Sequence, residues 1–149
     1  MKPSPDTALQ HPLVGQRVDL IDSPALVVDL DAMERNITRM ADFARKHQVQ
    51  WRPHANAHRS AELALQMQRA GAVGACVQKI AEAEVLAAGG VRDITLTNQV
   101  VAYPKLLRVA RLAARLQAQG GRLALAVDSP EGITRLAEAH REIALVAGE

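Results

Sequence analysis

Residues 72–128 read AVGACVQKIAEAEVLAAGGVRDITLTNQVVAYPKLLRVARLAARLQAQGGRLALAVD, and the order of short apolar runs, helical stripes and glycine stops in this stretch decides the fold. Residues 72–78 predict a small-residue strand, and a helix from about Ile80 stops at Gly89-Gly90. Residues 93–100 (DITLTNQV) carry the β-branched side chains of a second strand. Pro104 then suits a first helical position, and the helix it opens ends at Gly120-Gly121. Residues 122–128 (RLALAVD) form another strand, followed by Ser129-Pro130-Glu131, a helix N-cap with proline at the next position; Ile133, Leu136 and Ala137 are its inward residues.

Working outward, the same alternation continues on both sides. The nearly continuous apolar run at residues 25–30 (ALVVDL) suits a strand covered on both faces, and Met33, Ile37, Met40 and Ala44 are spaced for one face of the helix after it. Residues 49–55 predict a further strand. Ser60 is the N-cap of the next helix, with Glu62 in its first turn, Leu63, Ala64 and Met67 as its apolar stripe and Gly71 as its stop. Residues 142–147 (EIALVA) predict an incipient sixth strand. The fold class is therefore α/β, with about five strand–helix units and a parallel sheet. Two architectures answer to that: a doubly wound open sheet, or the first part of a (β/α)8 barrel, which needs about 250 residues. No G-x-G-x-x-G follows the first strand and no G-x-x-x-x-G-K-[ST] is present, which disfavours the nucleotide-binding open sheets.

Composition bounds the function classes. The 149 residues are 48% hydrophobic and 23% charged, an ordinary globular balance with a net charge of +2. One cysteine, Cys76, excludes an internal disulfide framework and fits a reducing compartment. No apolar run approaches the ~20 residues that span a bilayer, and the N-terminal residues lack the apolar core of a secretory signal. The expectation is a cytoplasmic protein with no membrane partner. The aromatics Phe43, Trp51 and Tyr103 lie outside any basic cluster, so nucleic acid is not an expected partner either.

In both architectures chemistry sits at the C-terminal ends of the strands. There the sequence places Arg52-Pro53-His54-Ala55-Asn56-Ala57-His58-Arg59, then Gln78-Lys79, Asn98-Gln99 and Asp128-Ser129. Amides and imidazoles at such positions hold polar ligands by direct hydrogen bonds; the plainer alternative is that they are wet helix caps. His54 and His58 have the H-x-x-x-H spacing of a zinc pair on a helix, but here they straddle a strand end and a loop. Cys76 is the one further ligand type nearby, so no metal site is assigned. The stripe Arg108, Arg111, Arg115 reads as a solvated helix face.

The segment RPHANAHRS at residues 52–60, the stretch GAVGACVQKIAEAEVLAAGGVRDITLTNQVV at residues 71–101, the opening SPALVVDLDAMERNITRMADFARKH and the later LALAVDSPEGITRLAEA together resemble the N-terminal alanine-racemase-like barrel of the D-threonine aldolase and D-serine dehydratase group. The resemblance runs over residues 20–147, roughly, in matching order. It implies a TIM-type barrel and an enzyme dependent on pyridoxal 5′-phosphate (PLP), a lyase of D-amino acids or 3-hydroxy amino acids. It also implies a lysine on the second strand that holds PLP covalently, in a pattern R-P-H-A-K-x-H-K. At that position this sequence has Asn56, and its second basic position is Arg59; in the alternative K-A-N-A-Y register of alanine racemase the lysine would fall on His54. No lysine lies between Lys46 and Lys79.

An amide nitrogen is not a nucleophilic amine, because its lone pair is delocalised into the carbonyl. Asn56 can hydrogen-bond a cofactor but cannot hold one covalently. Lys79 is the remaining lysine near the mouth of the barrel. The resemblance also implies a PLP phosphate held after later strands, and divalent-metal ligands on a C-terminal domain, both outside this sequence. The expectations are then a leader at residues 1–24 and a partial barrel domain at 25–149. Asn56, His54 and His58 are the catalytic positions, and Arg52, Gln78 and Asn98 line the cofactor pocket. The chain is expected to be inactive alone, with an amino acid as substrate if active, and to self-associate or need a complementing chain because open strand edges pair with other chains. The competing reading is a non-catalytic barrel fragment that binds a partner.

Overall fold

The structure, a computed structural model, describes residues 13–147. The chain divides after Glu34 into two compact units. In the first, a short 3-10 turn at Val18–Leu20 precedes a stretch without regular structure. Helix α1 (Leu30–Lys46) begins in this unit, where Asp29 caps it: its Oδ1 accepts the Ala32 N–H at 2.9 Å and its C=O accepts the Met33 N–H. The expected strand at residues 25–30 is therefore not formed. A strand exists only through a neighbour's hydrogen bonds; Leu26 and Val27 are exposed, and Asp29 serves the helix instead.

The second unit, from Arg35, holds the remainder of α1 and a regular alternation: α2 (Ala61–Arg69), β1 (Ala75–Val77), α3 (Ile80–Ala88), β2 (Asp93–Leu96), α4 (Tyr103–Ala118), β3 (Arg122–Leu125) and α5 (Pro130–Ala147). The strands form one parallel sheet in the order β1-β2-β3, with Cys76 opposite Thr95 and Thr95 opposite Ala124. This is α/β architecture with consecutive parallel strands separated by helices, as a partial TIM barrel requires.

The expected strand at residues 49–55 joins β1 by a single parallel bridge, His54 to Cys76, made of Cys76 N–H to Pro53 C=O and Ala55 N–H to Cys76 C=O, both at 2.8 Å. Pro53 explains why the ladder stops there. A bridge two residues earlier would need a hydrogen bond from the N–H of residue 53, which proline lacks, and Trp51 C=O takes the Val73 N–H instead at 3.1 Å.

Alternation along the strands separates two faces. Ala75, Val77, Ile94 and Leu96 are buried in a core with Ala61 and Ala64 of α2, Leu86 of α3, and Val109, Leu112 and Leu116 of α4, with Leu123 and Leu125 packed against it. The intervening residues, Cys76, Asp93, Thr95 and Arg122, belong to the other face. Ser60, Gly71, the Gly89-Gly90 pair, Pro104 and Gly120 mark the helix ends as the sequence led one to expect.

The sixth strand is a correction. Residues 142–147 continue α5, which runs unbroken to Ala147. Between Ala139 and Glu142 there is no glycine, proline or asparagine to end a helix, and Leu136, Ala139 and Ile143 keep one stripe at helical spacing, packed on Leu106 and Ala110 of α4. The stripe lies there and not at Ile133 and Ala137, which are exposed; Leu136 alone of the expected inward residues is on it. The Tyr103 hydroxyl donates to the Glu142 carboxylate at 2.8 Å and ties the same two helices.

Candidate functional site

The chain leaves the sheet at Ala55 and makes a turn over residues 55–58, closed by the Arg59 N–H donating to Ala55 C=O at 2.7 Å. Asn56 and His58 belong to this turn, while His54 is the bridged residue just before it and is exposed. Two atoms of the turn stand out. Asn56 Oδ1 and His58 Nε2 are both buried without a hydrogen-bond partner. Buried polar atoms are nearly always paired, so such orphans mark a place where something else is meant to bind or pack.

His58 is held in one tautomer. Its Nδ1 accepts the Ser60 N–H at 3.1 Å, so the ring proton sits on Nε2. Ser60 in turn caps α2, its Oγ accepting the Leu63 N–H at 3.1 Å and donating to Glu62 at 2.9 Å. Burial pulls the His58 pKa below its ordinary 6.5. Protonation would put a proton on Nδ1 facing the Ser60 N–H, donor against donor. Because the folded value lies below the unfolded one, this contribution to stability is fully present above about pH 6.5 and declines as the pH falls toward the folded value. The urea midpoint of the parent is thus expected to drop between pH 7 and pH 5 by more than that of His58→Gln; parallel curves for the two would refute the coupling.

Gln78 and Asn98, at the ends of β1 and β2, line one groove together with Lys79 and Lys105. The Glu82 carboxylate shapes its edge by accepting the N–H groups of Gln78 and Lys79 at 3.0 and 3.2 Å, and Thr97 Oγ1 donates to Val77 C=O at 3.1 Å across the two strand ends. Arg52 lies elsewhere. It stands two residues before His54, toward the strand starts, where its guanidinium meets Asp93 at 2.6 Å. Asp93 also receives Arg122 at 2.9 Å, its cross-strand neighbour. Burial alone would raise the Asp93 pKa, but the hydrogen bonds and charges of the two arginines prevail and hold it below the ordinary carboxylate value. Gly74 makes this pair possible, since a Cβ there would overlap both the Arg52 guanidinium and the Asp93 carbonyl. Cys76, buried and free, has its thiol pKa raised by burial, which makes it unreactive.

Of the expected site residues, the structure thus brings Gln78 and Asn98 into one groove, sets Asn56 and His58 on the turn with His54 on the bridge just before it, and engages Arg52 with Asp93. Lys105 and Asp93 were missed by the sequence reading. A cation in the first turn of a helix, and a carboxylate opening an otherwise apolar strand, were the available signals. Among the described residues no group of three or more His, Cys, Asp or Glu side chains is placed to hold a metal. Arg108 of the arginine stripe is not merely solvated, because it pairs with Glu84 of α3 through both Nε and Nη2.

The PLP implied by the resemblance meets an amide at position 56. The donor set of the turn comprises an imidazole pair, an amide and a backbone, and it contains no primary amine; the nearest lysine, Lys79, is exposed at the N-terminal end of α3. These residues do not fit a covalently held PLP.

Comparison with known proteins places the chain. The profile of the alanine racemase N-terminal domain matches residues 28–147. The 3-hydroxy-D-aspartate aldolase of Paracoccus denitrificans is 39% identical over 128 residues, 85% of this chain and 32% of that protein. The D-threonine aldolase of an Arthrobacter species is 35% identical over 125 residues, 84% of this chain and 32% of that protein. Among solved structures, D-threonine aldolase from Filomicrobium marinum superposes with a TM-score of 0.76 at 41% identity, covering 82% of this chain and 32% of the other. The D-threo-3-hydroxyaspartate dehydratase of Delftia sp. HT23 gives 0.68 at 36% identity, covering 83% and 31%. The chain spans about a third of the length of the relatives it matches. With its parallel sheet and strand-end turn in the same order, this chain belongs to the alanine racemase N-terminal domain family.

Proposed function

We propose that this chain is a wall of a PLP-lyase-type barrel, from the lineage that acts on D-amino acids and 3-hydroxy amino acids, in which the covalent hold on the cofactor has been lost. The observation that carries the reading is Asn56, an amide at the turn where the family pattern has its lysine, with its Oδ1 buried and unpartnered. Alone, the chain performs no lyase reaction. An amide cannot form the carbon–nitrogen double bond that an amine forms with an aldehyde, and His54 and His58 can move protons but cannot replace that bond. In a complete barrel the turn would contribute hydrogen bonds and shape to the mouth, with His54, Gln78 and Asn98 beside it and an amino acid as the substrate. A cytoplasmic setting accords with the single free thiol.

Borohydride reduction of the chain with PLP, followed by peptide mass spectrometry, tests the reading. Scattered low-level labelling of surface lysines is expected. A single dominant pyridoxyl adduct on Lys79 would overturn it and revive an enzyme with a relocated amine.

The second reading, a non-catalytic barrel fragment that associates with other chains, is favoured by one feature. Among the described residues β3 is paired on one side only, Val127 two residues beyond it is exposed, and Leu145 and Val146 at the end of α5 are exposed as well. Open strand edges next to apolar surface recruit further strands. Gel filtration is expected to show a concentration-dependent shift to species larger than a monomer; a sharp monomer peak at all concentrations would defeat that expectation.

A further inference from the structure

Building on the reading of the chain as a barrel fragment that associates, we propose that the free edge of β3 is an interface for a second copy of this chain, paired antiparallel about a two-fold axis at Leu125. Among the described residues β3 is hydrogen-bonded to β2 alone. The Arg122 N–H donates to Arg92 C=O at 2.8 Å and the Ala126 N–H to Leu96 C=O at 2.9 Å, so Arg122, Ala124 and Ala126 turn their backbone groups toward β2. By the alternation of a strand, Leu123, Leu125 and Val127 direct theirs to the open side. Edge strands that stay single are commonly blunted by lysine, proline or a bulge. The run RLALAVD at residues 122–128 has no lysine or proline and carries its charges only at its two ends.

Those charges identify the partner. About an axis at Leu125, an antiparallel copy sets Arg122 opposite the partner's Asp128, Leu123 opposite the partner's Val127, Ala124 opposite the partner's Ala126, and Leu125 opposite itself. The segment is self-complementary in charge as well as in apolar character. Leu123, Leu125 and Val127, whose backbone groups face the open side, become the hydrogen-bonded pairs, so the register satisfies the ladder geometry. Arg122 and Asp128 form a non-hydrogen-bonded pair, where opposing Cα atoms are about 4.5 Å apart and side chains meet most closely. Centring on Ala124 or Ala126 instead loses both charge pairs, and setting leucine opposite alanine puts the partner's apolar residues on the wrong face.

Both charged ends have groups free to pair. Arg122 engages Asp93 through Nε and keeps its terminal N–H groups, with its side chain 66% exposed. Asp128 is exposed and among the described residues makes no ion pair. Because opposing residues share a face, the two copies lay their helices on the same side of one continuous sheet. Ile133 and Ala137 stand at (i, i+4) spacing on α5, away from the stripe packed on α4, and both are exposed. As the last helix on the β3 side, α5 is the element such a copy adjoins, and these residues are apolar surface for it to cover.

The test is analytical ultracentrifugation of the full chain and of two charge reversals, Arg122→Glu and Asp128→Lys. The parent is expected to dimerise reversibly. Each reversal alone sets like charges opposite each other at both ends of the seam and should weaken dimerisation about tenfold. An equimolar mixture of the two should dimerise as well as the parent, because in the mixed dimer every charge again faces its opposite; a general loss of structure is not repaired by mixing. Because Arg122 also serves Asp93, disulfide trapping at two alanines gives a reading independent of the charges. Ala124→Cys mixed with Ala126→Cys should cross-link under mild oxidation, Cys76 being buried. Ala124→Cys alone should not, because its two copies lie beyond the ~7 Å Cα separation that a disulfide spans. Dimers that ignore the reversals, a mixture of folded variants no tighter than its parts, or Ala124→Cys linking to itself as readily as in the mixture would overturn this register while leaving the association reading in place. A monomer at every concentration would overturn both and leave the edge to a strand from a different chain.

Discussion

Asn56→Lys is expected to turn a chain that PLP labels at no single position into one labelled at residue 56, with about one borohydride-stable pyridoxyl group per chain. The substitution restores a primary amine at the turn after the bridged residue His54, where the buried, unpartnered Oδ1 of Asn56 shows that the surroundings leave a polar group unanswered. Partial burial favours an unprotonated amine, because desolvation disfavours its charged form. Asn56→Gln lengthens the side chain without adding an amine and should behave as the parent. Labelling at 56 in the lysine variant alone would show that the site survives and lacks just the nucleophile. If the lysine variant is labelled no more than the parent, the turn does not form a cofactor site in this chain, and the barrel-wall reading falls with it.

Asp93→Ala should be among the most destabilising single substitutions, costing about 2–3 kcal/mol, since it leaves a mostly desolvated Arg52 without its carboxylate and with only a long 3.4 Å contact to the backbone carbonyl of residue 93. The side chains of Arg52 and Asp93 are 16% and 23% exposed, whereas that of Arg122 is 66% exposed. Removing Arg122 instead should therefore cost less than about 1 kcal/mol, as exposed ion pairs do. Urea midpoints at constant slope would read both values. The pH dependence carries the same sign. The Asp93 carboxyl lies below its ordinary value of 3.8 when folded, so its contribution is present above that value and is lost as the pH falls through the lower folded one. Asp93→Asn should flatten that acid limb. Equal losses for the Asp93 and Arg122 variants would mean that burial does not distinguish the two arginines.

Much of this architecture is legible in the sequence because its signals are local. Ser60 before an apolar stripe, Pro104 at a helix start and glycines at helix ends each act within a turn, and each does in the structure what its chemistry dictates. The misread segments depended on partners. Residues 25–30 have the composition of a buried strand, but composition supplies no hydrogen-bonded neighbour, and the same Asp29 serves equally well as a helix cap. Residues 142–147 are short, apolar and β-branched in part, a pattern that fits strand or helix; Leu136 and Ala139 settle it by extending one stripe into them. At the site, the identity of Asn56 could be read directly. The Arg52–Asp93 contact could not, because it spans 41 residues and crosses over Gly74.

Pro53 fixes the order in which the sheet comes apart. Residues 51–55 are held to their neighbours by the three backbone hydrogen bonds named above, whereas β1, β2 and β3 share continuous ladders. Beyond those bonds the Arg52–Asp93 pair is what ties this strand to β2, so in a structure that opens in cooperative pieces the loss of that pair is expected to free it while the laddered strands stay joined. His54 and the Asn56 turn leave with it, so the candidate site melts while the remaining sheet and its helices stay closed. Protease nicking and amide exchange would then strike first at the segment that carries Asn56 and its two flanking histidines.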